Sequence, residues 1–347
     1  MPSLNLARAA ILISAIAFGF VIGGLVFWIA SRAIFAILVA IIFAILIDGA
    51  VRGVGDLVSW PRQIRLALVL VLAALAVAAG VYFGGSIILD QASQFVGASK
   101  RLFSHASEWL IGRSGGLPLS DIAQLLPDPG VLLGGATAIA TASFGTLATG
   151  FAIVFLAAFF AGDPQSYKSG LLSLLPRDKR EPVSLALDEA AEAMRKWMIG
   201  QAISMAVIFT FTLTALLLIG MPYPGLLALQ AGLLTFIPTL GPFVAGIVII
   251  LAGLSHSFTM ALYGFGTYLV IQFLESNLIT PMVQKRTVHL PPGLTLAAQL
   301  IAGALFGFLG LAFAVPLTAA AKVLISRLYV ERALGGPWNA PANGRKG

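Results

Sequence analysis

The chain has no cysteine, so it forms no disulfide and offers no thiolate to a metal. It is also poor in charge. Only 10% of its 347 residues are Asp, Glu, Lys or Arg, against about 25% in soluble domains. His105, His256 and His289 lie far apart, and neither a His-Glu-x-x-His pair nor a Gly-x-x-x-x-Gly-Lys-Ser/Thr phosphate loop occurs. Metal-dependent hydrolysis and nucleotide-driven chemistry are therefore not expected. No cofactor and no metal is implied, the chain does not read as an enzyme, and any transport is secondary or passive. What is present in quantity is apolar sequence: 59% of residues are hydrophobic and the mean hydropathy is +0.97. Runs of spanning length, which needs about 20 apolar residues, recur along the chain. This is the composition of an all-α, polytopic protein whose partner is the lipid bilayer. The net charge of +7 is not a nucleic-acid signature, because Lys and Arg lie mostly in short segments between apolar runs, where they set topology.

Residues 1–89 hold three expected spans. Ala9–Ala30 and Ala33–Ala50 are read as a helical hairpin turning at Ser31-Arg32, with a third span over Leu66–Leu89. Arg52, Arg62 and Arg65 mark the intervening loop as cytoplasmic. Residues 90–133 have ordinary soluble polarity. Phe95, Leu102 and Trp109 recur at helical spacing, so the third span is expected to continue as an amphipathic helix until Gly112–Gly116. Ser120-Asp121 can cap a further short helix. Near-cancelling charges place this insertion on the outer face. Residues 134–162 are the fourth span. Residues 163–201 carry the densest basic cluster and read as cytoplasmic, with a helix opened by Pro182. Its apolar face (Leu187, Ala190, Ala191, Met194, Met198) suits a helix lying on the membrane or against the spans. Residues 330–347 are a Gly/Pro-rich basic tail, expected to be disordered. Both termini are expected to be cytoplasmic.

The C-terminal half, 202–329, is the expected transport core. Its centre is Gly225–Leu254, an apolar stretch interrupted by Ile237-Pro238-Thr239-Leu240-Gly241-Pro242. Proline removes an N–H donor and clashes with the preceding turn. A continuous helix through Pro238 and Pro242 is not expected. The arms Gly225–Ile237 and Pro242–Leu254 are each about 20 Å long as helix, short of a hydrocarbon core of about 30 Å. Backbone groups freed at membrane depth must face protein or a water-filled cavity, and broken helices point to a transport site. The bland alternative is a proline-kinked single span. A second interruption, Gly307-Phe308-Leu309-Gly310 with Pro316, divides Gly293–Tyr329. The basic pair Lys285-Arg286 falls on the cytoplasmic side only if Gly225–Leu254 enters and leaves on the outer side. The two broken elements then enter from opposite faces.

The polar residues in or beside these elements are Gln230, Thr235, Thr239, Gln272, Glu275, Asn277 and Gln299. The uncharged ones can hydrogen-bond a small polar solute or join helices to one another. For any single one of them, helix–helix bonding is the commoner role. Glu275, at the end of an apolar span, is an ionisable group near the membrane interior and hence a candidate for proton coupling; an interfacial capping role is the alternative. Asp163 is the other candidate carboxylate near a span in this half. Gly53-Val54-Gly55-Asp56 imitates an intramembrane aspartyl-protease motif but lies in a basic loop, with no Tyr-Asp partner in the chain.

The Ile-Pro-x-x-Gly-Pro run at 237–242 resembles the signature of the autoinducer-2 exporter (AI-2E) family of bacterial inner-membrane proteins. Glu275-Ser276-Asn277-Leu278-Ile279-Thr280-Pro281 is similar to that family's Glu-x-Asn-x-x-x-Pro segment. Val288-His289-Leu290-Pro291 is similar to its His-x-Pro pattern, and Gly307–Pro316 to its Gly-x-x-Gly-then-Pro ending. The resemblance covers about Ala9 to Tyr329, by hydropathy alone in the N-terminal half. It implies about seven or eight membrane segments, two of them broken or re-entrant hairpins with Pro238, Gly241, Pro242, Pro281, Gly307, Gly310 and Pro316 at the breaks. It further implies a homo-oligomer exporting small polar solutes such as autoinducer-2. Some relatives are reported as sodium/proton antiporters, so Na+ or H+ as a coupling ion stays open. A non-transporting membrane scaffold is the rival of a different class.

Overall fold

A computed structural model describes residues 3–113, 144–279, 281 and 290–331. Every element is helical and no strand occurs among the described residues. In chain order they are α1 (Ser3–Leu57), α2 (Arg62–Arg113), α3 (Phe144–Gly162), α4 (Pro164–Ser173), α5 (Arg177–Leu218), α6 (Pro224–Leu234), α7 (Leu240–Leu254), α8 (Phe258–Leu274) and α9 (Pro292–Ile325). Five-residue π-helical segments, Glu275–Ile279 and Ser326–Val330, follow α8 and α9. Four of these helices are long and apolar enough to cross a membrane, or five if α3 and α4, bent by 83° at Asp163, count as one span. The chain is an all-α polytopic membrane protein. The short helix expected at Ser120-Asp121, the first part of the fourth span, Lys285-Arg286, His289 and the basic tail lie outside the described residues.

Two expectations are corrected. α1 runs unbroken through Ser31-Arg32, so there is no hairpin there. Neither residue is glycine or proline, and a single charged side chain does not interrupt the i→i−4 ladder. The cytoplasmic placement of the N-terminus rested on that hairpin and loses its support. The amphipathic helix expected from Pro182 onward is also not separate from the fifth span. Both belong to α5, 42 residues long, or about 63 Å. It starts after Pro176, and Pro182 lies inside it rather than at its start. Ala186, Ala190, Met194, Trp197 and Met198 are buried against the other helices, so this segment packs on the spans instead of lying on a membrane surface. The continuation of α2 as far as Arg113 is as the spacing of Phe95, Leu102 and Trp109 predicts.

One end of α5 gathers the basic residues. Arg62, at the start of α2, donates to buried Asp48 of α1 and to the carbonyls of Ala161 (2.8 Å) and Gly162 (3.3 Å). The last carbonyls of a helix lack intrahelical partners, and a guanidinium there also matches the helix dipole. Arg52 completes the cluster at 2.6 Å from Asp48. Lys168 of α4 pairs with Asp188 of α5. Asp163 caps α4: the hydroxyl and amide of Ser166 donate to its carboxylate and hold its pKa below the usual range. An exposed, ionised cap is a structural carboxylate, so Asp163 falls away as a coupling candidate.

Candidate functional site: two opposed hairpins

α6 and α7 fold back on each other. Leu226 and Leu227, early in α6, share one buried cluster with Val248, Ile249 and Ala252, late in α7. Ala231 and Ala245 share the next. Met221, just before α6, and Ile249 both approach Gly264 of α8. The arms, of 11 and 15 residues, are about 16 and 22 Å long. The open end of this first hairpin packs on Leu216, near the C-terminal end of α5. Gln91 of α2 reinforces that end by accepting from the amide of Leu226 at 2.8 Å. Small residues allow close contact with the neighbours: Gly232 lies on Phe209 of α5, Gly246 on Tyr268 and Gly253 on Ala261 of α8.

The tip of the first hairpin is Thr235–Thr239, and it differs from expectation in one respect. Pro242 is not part of the break but the third residue of α7, where a missing N–H costs no intrahelical bond. Pro238 alone interrupts the ladder. Thr239 has φ 71°, ψ −58°, and the amide of Leu240 donates to the carbonyl of Pro238 at 2.9 Å. This is a γ-turn with positive φ, the rarer and strained form. Immediately beyond, a Cβ at Gly241 would overlap the carbonyl of Leu234, so only glycine fits.

Two carboxamides hold the freed carbonyls of this tip. Gln201 of α5 donates to the carbonyl of Thr235, and Gln299 of α9 donates to that of Pro238 at 3.2 Å. Gln299 is 0% exposed, and its Oε1 has no partner among the described residues. Around them Phe236 stacks edge-on to Trp197 (5.6 Å) and Phe313 (5.4 Å).

The second hairpin lies within α9. Gly307 has φ 64°, ψ −144°, a region essentially reserved for glycine. A Cβ at Gly310 would overlap the carbonyl of Ala302, and Leu311 lies beside Gly303. Residues eight apart on a straight helix are separated by about 12 Å, so the chain reverses at Gly307. Pro316 is buried in the returning arm. The base of this hairpin is tied to the N-terminal part of α5, where Arg327 meets Glu189 through a two-pronged pair at 2.6 and 2.9 Å. The hairpins thus enter from opposite ends of α5. The tip of the first rests against the mid-arm of the second, at Gln299 and Phe313.

Of the candidate residues, Thr235, Thr239 and Gln299 come together at this junction, whereas Gln230 is half-buried on α6. Thr235 is 3% exposed, and its hydroxyl donates to Ala231 of its own helix. Gln272 bonds Ser276, and Asn277 bonds the carbonyl of Phe273; both serve the end of α8. α8 is antiparallel to α7, with Gly253 on Ala261 and Gly246 on Tyr268. Seven further residues along each helix, that register sets half-buried Glu275 at the level of Thr239. Pro281 is exposed. Gln201 was not foreseen. The available signal was a lone carboxamide continuing the apolar face of Met194, Trp197 and Met198 at i+3 and i+4 spacing. A groove of about 380 Å³ opens beside the second hairpin, but it is apolar, walled by Ile34, Leu38, Leu305, Phe306 and Leu317. The polar residues of the junction do not line it.

Comparison with known proteins agrees with these features. The sequence profile of the AI-2E family transporters matches residues 6–329. The chain is 28% identical over 173 residues to "Putative transport protein YrrI" of Bacillus subtilis, covering 50% of this chain and 49% of that protein. It is 27% identical over 186 residues to "Putative permease PerM" of Escherichia coli K12, 52% of each. It is 28% identical over 164 residues to "Putative transport protein MJ1177" of Methanocaldococcus jannaschii, 46% of this chain and 48% of that one. The chain matches about half the length of each relative. With a profile match running through both hairpins, the chain belongs to the AI-2E transporter family.

Proposed function

We propose that the protein is a secondary transporter that exports a small polar solute, similar to autoinducer-2, across the bacterial inner membrane. The observation that carries this reading is the meeting of two opposed hairpins at the Gln299–Pro238 hydrogen bond. Alternating access needs two elements that can move against each other around a midplane site, and opposed hairpins supply them. In this conformation the junction is closed, so solute passage requires the first tip to withdraw. The basic end of α5 faces the cytoplasm in this reading, and the protein works as a homo-oligomer.

The test is flux of autoinducer-2 from proteoliposomes. Export predicts efflux that survives removal of sodium. A second reading, a sodium(lithium)/proton antiporter, draws on Glu275 standing at the level of the tip. It predicts sodium-dependent proton flux that vanishes in Glu275→Gln. Absence of both fluxes would contradict transport and favour a scaffold.

A further inference from the structure

We propose that Gln201 and Gln299 are positioning residues that clamp the first hairpin closed, and that Thr239 is the spring they hold. Three observations converge. The two carboxamides come from different elements, α5 and α9, yet bind carbonyls only three residues apart, Thr235 and Pro238. Thr239, between Pro238 and α7, holds a positive-φ turn that a β-branched residue rarely adopts. Backbone strain of this kind persists only where the surroundings over-determine it, and the bond from Gln299 to the carbonyl before Thr239 is such a constraint. Among the described residues Gln299 also leaves its Oε1 without a partner, in a fully buried place. An arrangement that tolerates both a strained turn and an orphaned acceptor is poised to leave this state.

Release of the Gln299 bond frees Thr239 to return to negative φ, and that rotation redirects the start of α7 and uncovers the buried tip. Gln201 acts on the other side of the tip, fixing the end of α6 while α7 moves. The inference rests on reading the tip as the gate of the transport path, but its test reads the gate directly.

The cysteine-free chain makes this accessible without a background substitution. Ile237→Cys places a thiol under the tip, at a position 3% exposed. Its reaction with a small methanethiosulfonate reagent, in full-length protein in proteoliposomes, reports opening. Gln299→Leu is expected to speed labelling about five- to tenfold, the size of one lost buried hydrogen bond, and Gln201→Leu by a similar factor. Thr239→Gly, which removes the strain, is expected to slow labelling at least about fivefold and to reverse the effect of Gln299→Leu in the double variant. General loosening cannot produce that reversal, because added glycine favours the unfolded chain. Leu216→Cys, buried at the open end of the same hairpin, serves as reference and stays slow throughout. Unchanged labelling at Ile237→Cys in both glutamine variants, equal acceleration at Leu216→Cys, or a faster rather than slower Thr239→Gly would each overturn the clamp. If labelling responds as expected while autoinducer-2 flux does not, the clamp stands and the transport reading fails.

Discussion

The two hairpins make the same turn by different means. The second reverses at Gly307, whose φ of 64° costs glycine nothing, and no side-chain amide holds its tip among the described residues. The first reverses at Pro238-Thr239, where a β-branched residue carries positive φ and two glutamines from outside hold the carbonyls. Their bases differ too. The first rests on an apolar cluster around Leu227, whereas the second adds the exposed pair Arg327–Glu189 to the apolar packing of Ala320, Val323 and Leu324. The first hairpin therefore has a strained tip held from outside, and the second an unstrained tip that needs no such support.

Substitutions at the tips and bases test this difference. The largest effect is expected at the shared feature, the close approach behind each tip. Gly241→Ala and Gly310→Ala each drive a Cβ into backbone that cannot yield, and each should lower thermal stability in detergent by about 3 kcal/mol, the upper end of the usual cost of overpacking. Leu227→Ala, at a fully buried position, is expected to cost about 2–5 kcal/mol. The tips themselves should respond with opposite signs. Gly307→Ala has open space around its Cβ and should lose only the conformational cost, about 1–3 kcal/mol, while Thr239→Gly should raise the melting temperature. Equal destabilisation by both would remove the argument that Thr239 stores strain. Smallest of all, Arg327→Gln should change stability by less than about 1 kcal/mol, and the difference should fade in high salt.

The first hairpin was legible because proline and glycine in an apolar run have only a few structural outcomes. Its exact break was less so: Pro242 read as a second interruption, yet the first turn of a helix tolerates proline without loss. Thr235 and Gln299 were identifiable as polar atoms at membrane depth. That the carbonyls of Thr235 and Pro238 are held by Gln201 and Gln299, rather than lining an open path, depends on contacts 34 and 61 residues apart in sequence, which local pattern does not encode. Gln201 is not marked by local pattern, because it stands where the sequence suggests that a cytoplasmic helix ends and a span begins. Structurally there is no such boundary, since α5 is one helix. The false hairpin at Ser31-Arg32 has a related cause, a lone charge taken as a turn where no residue breaks the helix.

In the proposed transport cycle the first tip must move against the second hairpin for solute to pass. Cysteines at Phe236 and Phe313, whose rings lie 5.4 Å apart, can be joined by a short, cleavable bifunctional thiol reagent in proteoliposomes. Efflux of autoinducer-2 is expected to stop when the link forms and to return when it is cleaved. Undiminished efflux from fully cross-linked protein would contradict that cycle.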